Sequence, residues 1–496
     1  MSAGTVAVIG LGALGLVTLK NLLEKGFEVT GFDKSDAVGG LWNFTEHQQT
    51  SVLENIASYT SARQVQRYLC DYSQHFGLMP HVRLGNEVIS ATFDKVTEKW
   101  TIESRSRSGQ ARKEAFDRLV LATGINSLPH MPDIEGLDRF EGQQKQRPES
   151  FKDKVVMIVG MSNSTADVAT TLTEHAKHVY VSRRHDVFIF SRLIDGKPID
   201  HSLTNRKGTI ANALNSFAPA LARRMSRNML GTMTRKAFPH MPKEWDLATA
   251  PLTSHAPPVV SDTMIPQILA GNISLVKGIA QVVDGRKVRL QDGEEISVDA
   301  IVLCTGYQTG FALAGPYDPT LEQPAAWTDA AGSNSRKLPS LYRNIFSLHI
   351  PHHLAFMGSV AFLSPAFQLY DLASMALARI WSGEFALPTK GEMAAQVDRQ
   401  QKWLASLAAE STVMPGWVDG AEWMAWADEA AGSDALRHMG YGLAGWMLWF
   451  RDPKLSKVLL DGVPSPHQFR LFDTGKRPAW SGARQEILRV NGMSVE

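Results

Sequence analysis

The 496-residue sequence predicts an α/β protein with two strand–turn–helix units, the second set within the first, and a helical C-terminal region. Three observations carry this reading. Short Val/Ile-rich runs at Val6–Ile9 and Val155–Val159 each end in a glycine turn. Each turn leads into a helical pattern and then a second apolar strand. Each unit is closed by a further apolar strand that ends on Thr-Gly, at Thr123-Gly124 and at Thr305-Gly306. Continuous apolar strands of this kind are buried on both faces, as in parallel sheets.

The first strand breaks on Gly10, Gly12 and Gly15, the G-x-G-x-x-G spacing. The first glycine allows a tight turn, the second lets backbone approach a pyrophosphate, and the third lets the helix lie close on the strand. Leu16, Leu19, Leu22 and Leu23 continue at helical spacing to Gly26, a residue suited to a helix C-terminus. Free N–H groups at the helix start favour an anion. The next strand, Glu28–Phe32, ends on Asp33, about 20 residues on, where an acid can hold a ribose 2′-hydroxyl. This order marks a dinucleotide site.

Gly39-Gly40-Leu41-Trp42 adds a paired-glycine turn whose backbone can face a ligand, with Trp42 either covering it or serving as a core residue. Residues Ala62–Phe76 read as an amphipathic helix. A β-meander is expected over Asn86–Phe93, Lys99–Arg105 and Arg112–Ala122, closing at Thr123-Gly124. Residues 127–132, interrupted by prolines, read as a linker.

In the second unit the fingerprint is altered. Gly160 stands, but Ser162 and Thr165 replace the later glycines, with Asn163 and Ser164 between them. The strand His178–Ser182 ends on Arg183-Arg184, where the first unit has Asp33. An acid suits a free ribose, whereas arginine suits a 2′-phosphate. The first Rossmann-like unit therefore reads as the FAD domain and the second as an NADPH domain inserted in it. The expected boundaries are 1–150 for the first part of the FAD domain and 151–298 for the NADPH domain with a helical insertion. Residues 299–496 complete the FAD domain and add a Trp-rich helical region.

Within the insertion, Gly208–Ala237 reads as helical, and the stripe of Met225, Met229 and Met233 at helical spacing favours core packing over a substrate lid. Helices are expected at Phe367–Trp381 and Glu392–Leu407. The final third holds eight of the twelve tryptophans, among them Trp417, Trp423, Trp426, Trp446 and Trp449; most read as core, with a place lining an apolar substrate channel open to some.

Lys plus Arg (51) balances Asp plus Glu (50), so net charge suggests neither nucleic acid nor an acidic membrane as partner. No apolar run is long enough to span a membrane, and the first strand starts too early to leave room for a signal peptide. Two distant cysteines, Cys70 and Cys304, fit a reducing, cytoplasmic setting and form no redox motif. No histidine pattern suggests a metal site. With two dinucleotides and no cysteine pair, the electrons are expected to pass to O2 or to a small organic molecule.

On these residues the chain resembles the flavin-containing monooxygenase family (class B flavin monooxygenases), its fungal members in particular, over nearly its whole length. Gln66–Leu69, Cys304–Tyr307, Leu341–Phe346 and Gln368–Asp371 join the two glycine turns and Gly39–Trp42 in carrying the resemblance. The resemblance implies FAD at Gly10, Gly12, Gly15, Asp33, Gly39, Gly40, Leu41, Trp42, Val88, Thr123, Gly124 and Gln368. It implies NADPH at Gly160, Ser162, Asn163, Ser164, Thr165, Arg183, Arg184, Thr305 and Gly306. It further implies that NADPH reduces FAD and that O2 then forms a C4a-hydroperoxyflavin, which oxygenates nitrogen or sulfur in a small substrate. The alternatives are Baeyer–Villiger insertion beside a ketone and uncoupled NADPH oxidation.

Two departures accompany the resemblance. The loop from Trp42 to Ala62 is shorter than in the family, which places an asparagine at the flavin, and Asn55 is the candidate here. The family's Phe-x-Gly-x-x-x-His signature keeps Phe140 and Gly142, but Gln146 and Ser150 occupy its histidine and following aromatic positions.

Overall fold

The computed structural model describes residues 3–43, 60–126, 128–141 and 148–493. Asn55, Gly142 and Gln146 lie outside them. In chain order the first unit runs β1 (Thr5–Ile9), α1 (Ala13–Glu24), β2 (Glu28–Phe32), α2 (Ala62–His75), β3 (Asn86–Asp94), β4 (Lys99–Ser106), β5 (Ala111–Phe116) and β6 (Arg118–Leu121). The second unit runs β7 (Val155–Val159), α3 (Asn163–Leu172), β8 (His178–Arg183), α4 (Asn205–Phe217), α5 (Pro219–Ala237), β9 (Ile273–Lys277) and β10 (Ala300–Leu303). The C-terminal part contributes β11 (Leu354–Phe356), α6 (Ala366–Trp381), α7 (Lys390–Glu410), α8 (Gly420–Ala431), α9 (Leu443–Arg451) and α10 (Pro453–Asp461).

In the first sheet β11, β6, β1 and β2 lie side by side, all parallel, with Val6 opposite Val29 and Ala7 opposite Leu119. Side chains alternate across it. Val6 and Val8 join Leu16, Leu19 and Leu22 of α1 and Leu372 and Ala376 of α6 in one core. Ala7 and Ile9 join Phe32, Trp100 and Phe116 on the other face, under the antiparallel β3–β4–β5 meander. Helices α1 and α6 run in the same direction, since Asn21 reaches Ser374 Oγ at 2.6 Å and Lys25 pairs with Glu384 at 2.6 Å. Their N-termini therefore share the carboxyl end of the sheet. Arg470 and Asp371 form a half-buried ion pair beside Asn21.

The second sheet is parallel throughout, in the order β9–β8–β7–β10. It corrects the expected boundary at 298, because Ala300–Leu303 pairs with Val156–Val159 and belongs to this sheet. Residues 128–129, expected to be linker, pair with Tyr307–Gln308 where the chain crosses between units.

Three more expectations are corrected. The meander's third strand is two strands: Asp117 accepts from the Thr5 backbone at 2.8 Å and turns the chain into the parallel sheet. The helix expected over Gly208–Ala237 is two helices, divided at Ala218, where φ is −145° and the following proline has no N–H to continue the ladder. Met225 and Met229 are exposed, and so are Trp446 and Trp449, whereas Trp417, Trp423 and Trp426 are buried. Apolar spacing alone does not say whether a helix face meets the core.

Candidate dinucleotide and substrate site

The first turn is built by exclusion. A side chain on Gly10, whose φ is +97°, would put Cβ 2.5 Å from the Ala122 carbonyl oxygen. One on Gly15 would lie 1.8 Å from the Gly10 carbonyl oxygen, so only glycine lets α1 sit this close to β1. Gly12 is different. The nearest atom to a Cβ there is Gly40 Cα at 3.7 Å, so Gly12 and Gly40 are two backbone surfaces facing across a narrow gap. The Gly39 N–H donates to Leu11 O at 2.9 Å and holds the paired-glycine turn in place.

Asp33 lies at the end of β2. Its carboxylate accepts from the Leu11 backbone at 2.7 Å and from Ser35 at 2.9 Å, which ties the acid to the glycine turn. Helix α1 has neither a side-chain cap nor an acid in its first turn, leaving its N-terminal donors for a phosphate. Gln368, in the first turn of α6, is buried, yet its Oε1 accepts no hydrogen bond among the described residues. An orphaned buried amide at the same end of the sheet is a site for a polar ligand edge. These features fit FAD.

Leu41 and Trp42 are exposed beside the turn rather than in the core, and Thr123 and Gly124 follow β6 on the surface. Val88 is buried with Phe32 and Ile9, so its side chain serves the core. No described contact brings it to the glycine turn.

In the second unit, a Cβ on Gly160 would lie 2.4 Å from Cys304 O, repeating the first turn. Ser162, Asn163 and Ser164 are exposed at the start of α3, and Asn163 bridges to Pro258 O and Val260 N at 3.2 and 2.8 Å. Thr165 is fully buried, and its Oγ1 accepts from Ser162 N at 3.4 Å. Its side chain is part of the turn rather than of a ligand surface. Thr305 Oγ1 donates to His130 O at 2.7 Å, and His130 N to Gly306 O at 2.9 Å, locking the crossing between the units.

The arginine pair divides its work. Arg183 is buried and grips Asp186 with two bonds, at 2.5 and 3.3 Å, and also donates to Glu244 O at 2.8 Å. It is a structural ion pair, so the expectation of a phosphate ligand fails for it. Arg184 is exposed and donates to Asn334 Oδ1 at 2.6 Å, a neutral partner. Near it stands Arg336, whose guanidinium donates, among the described residues, only to the Ser333 and Val413 carbonyls. Burial first, and then Arg184, bring the Arg336 pKa down to about 10. Burial, followed by the same two cations, holds His130 below the usual imidazole range. Two cations with no described carboxylate between them favour a bound anion.

Between the units lies a cavity of about 260 Å³. It gathers Ser162, Asn163 and Gly306 from the second unit, Asn126, Gly358 and Ser359 from strand ends of the first, and Phe188, Met414 and Arg336. Ser359 Oγ is buried there without a hydrogen-bond partner among the described residues. Sequence reasoning missed Arg336, Phe188, Ser359 and Met414, which belong to no motif; the tertiary fold alone assembles them. Among the described residues the walls hold no carboxylate, and His185 is bonded to the Asp186 carbonyl and the Thr412 hydroxyl. Both cysteines are free thiols, and burial pushes the Cys304 pKa up to about 11, away from thiolate chemistry. No group of three His, Cys, Asp or Glu among the described residues could hold a metal ion, and no described helix is long and apolar enough to cross a membrane.

A family model described as flavin-binding monooxygenase-like matches residues 3–494. The chain is 39% identical over 514 residues to the monooxygenase aurF of Gibberella zeae, covering 98% of this chain and 97% of that protein. It is 26% identical over 526 residues to flavin-containing monooxygenase 2 of Homo sapiens, covering 98% and 91%. Among solved structures, S-allyl-L-cysteine S-oxygenase from Allium sativum matches with a TM-score of 0.60 at 20% identity, over 98% of this chain and 99% of that one, a likeness of fold.

Proposed function

The chain belongs to the flavin-binding monooxygenase-like family, and on that premise we propose that it transfers one oxygen atom of O2 to a nitrogen or sulfur atom of a small organic substrate. It is an FAD- and NADPH-dependent monooxygenase. The observation that carries the finer reading is the cavity wall, with Phe188, Met414 and prolines but no carboxylate among the described residues. An amine or thioether offers a lone pair and needs no protein base to deprotonate it.

In this reading the Gly10–Gly15 turn and the start of α1 hold the FAD pyrophosphate, and Asp33 holds its ribose. The Gln368 amide meets a polar edge of the flavin. Ser162, Asn163 and Ser164 at the start of α3 receive the NADPH pyrophosphate. Arg184, with Arg336, takes the 2′-phosphate in place of Arg183. Bound FAD and NADPH supply the redox and oxygen chemistry. The chain orients them and keeps water from the cavity.

The test is turnover with NADPH and ¹⁸O2 on a tertiary amine, a thioether and a cyclic ketone. One ¹⁸O atom in an N-oxide or S-oxide is expected. A labelled lactone alone would move the assignment to Baeyer–Villiger oxidation. Hydrogen peroxide matching the NADPH consumed, with no labelled product, would make the chain an NADPH oxidase.

A further inference from the structure

The most unusual surface lies away from the cavity, on the α4–α5 hairpin and α9. Helix α4 has no buried residue, and from Gly208 to Ala222 the sequence carries no charge at all. Phe217, at its tip, is 90% exposed. In α9 the only buried residue is Gly445, and Leu443 (77% exposed) and Phe450 (74%) flank the exposed Trp446 and Trp449. The two segments are joined. Asn205 of α4 donates to Leu459 O of α10 at 2.7 Å, and Arg206 bonds Asp461 of α10 and the Tyr441 hydroxyl just before α9.

The charge around this surface is one-sided. Between His201 and Lys243 the chain carries eight Lys or Arg and no Asp or Glu, although the whole chain is nearly neutral. Asp461, Glu410 and Asp195 offset Arg206, Arg223 and Lys236. Lys207 and Arg224 meet no carboxylate among the described residues. Exposed tryptophans and phenylalanines on helices flanked by unpaired cations are the composition of a surface that lies in a bilayer interface. Isolated exposed apolar residues are ordinary, but Trp446, Trp449 and Phe450 stand ring against ring, with centroids 6.0 and 5.0 Å apart, and an exposed aromatic cluster of this kind needs an occupant.

We propose that α4, the first half of α5 and α9 form a peripheral docking face for an anionic phospholipid bilayer, with Phe217, Trp446, Trp449 and Phe450 entering the interface and Lys207 and Arg224 meeting the headgroups. No described helix spans the membrane in this arrangement. A protein partner or a second copy of the chain is the competing occupant; the excess of unpaired cations beside the aromatics favours the lipid.

The experiment is flotation of the full-length, FAD-loaded protein with phosphatidylcholine vesicles, with and without phosphatidylserine. Binding is expected on the phosphatidylserine vesicles and should weaken with added salt. Phe217→Ser with Phe450→Ser should lower the partition about tenfold or more, and Lys207→Glu or Arg224→Glu about fivefold or more each. Val96→Ser, an exposed apolar residue on the β3–β4 turn, should change nothing. NADPH consumption in detergent-free buffer should be the same in all variants. Absence of flotation on either vesicle, or equal flotation on neutral and anionic ones, would overturn the proposal. So would a dimer that dissociates in the Phe217/Phe450 variant without any vesicle binding.

Discussion

The two glycine turns answer the same geometric demand with different residues. Gly10 and Gly160 are equivalent: a Cβ on either would strike a carbonyl at the end of the neighbouring strand, Ala122 O at 2.5 Å and Cys304 O at 2.4 Å. The third position diverges. Gly15 lies under the Gly10 carbonyl with no room for a methyl group, whereas Thr165 fills its place in the second unit and bonds Ser162 N. The third glycine is thus required by how close the helix sits on the strand, and a helix that stands off by one small side chain does without it. The strand ends differ in the same spirit. Asp33 braces its own turn, while Arg183 faces inward to Asp186 and leaves Arg184 outside.

The largest expected effect comes from testing the third position directly. Gly15→Ala forces Cβ against backbone that cannot swing away and should cost about 3 kcal/mol or more. The purified protein should then lack the flavin absorbance near the visible maximum. Thr165→Gly should keep FAD bound and cost only about 1–2 kcal/mol, from a lost hydrogen bond and added chain entropy. Equal loss of FAD in both variants would break the comparison.

The arginines come next. Arg183→Ala leaves the Asp186 carboxylate buried and unpaired and should lower stability by about 3–5 kcal/mol, read as a fall in Tm. Arg184→Ala should leave Tm nearly unchanged but raise KM for NADPH about tenfold or more, with KM for NADH unmoved, as removal of a charge-assisted bond requires. The opposite pattern would return Arg183 to the cofactor.

The smallest effect is a pH dependence confined to the second unit. The Cys304 thiol has a pKa of about 11 in the folded chain, above its ordinary value, because burial disfavours the thiolate. The unfolded chain therefore loses this proton first. Its contribution to stability is full below about pH 8.5 and is lost as pH rises towards 11, by roughly 1–3 kcal/mol. Denaturant melts across that window should show the slope, and Cys304→Ala should flatten it. Cys70→Ala, half-exposed in α2, should leave most of it.

Much of the fold was legible because it rests on local rules. The glycine spacings, the apolar strands and Asp33 announce two dinucleotide units, since each feature solves a backbone problem within a few residues of itself. The helix pattern of α6 and α7 and the first two strands of the meander were readable for the same reason. The misreadings were of another kind. Met225 and Met229 repeat at helical spacing, yet the side they occupy faces out, and Trp446 and Trp449 carry core-like side chains to the surface. Arg183 and Arg184 are adjacent and chemically alike, and only the position of Asp186 and Glu244 separates them.

The sequence by itself determined the class of cofactor and the strand–turn–helix units, because steric exclusion at glycine and charge at a strand end act over short distances along the chain. The cavity walls, the division of labour between the two arginines, and the one-sided apolar and basic face depended on the tertiary structure. Each of these joins residues tens or hundreds of positions apart, and which face of an element is buried is decided by what packs against it.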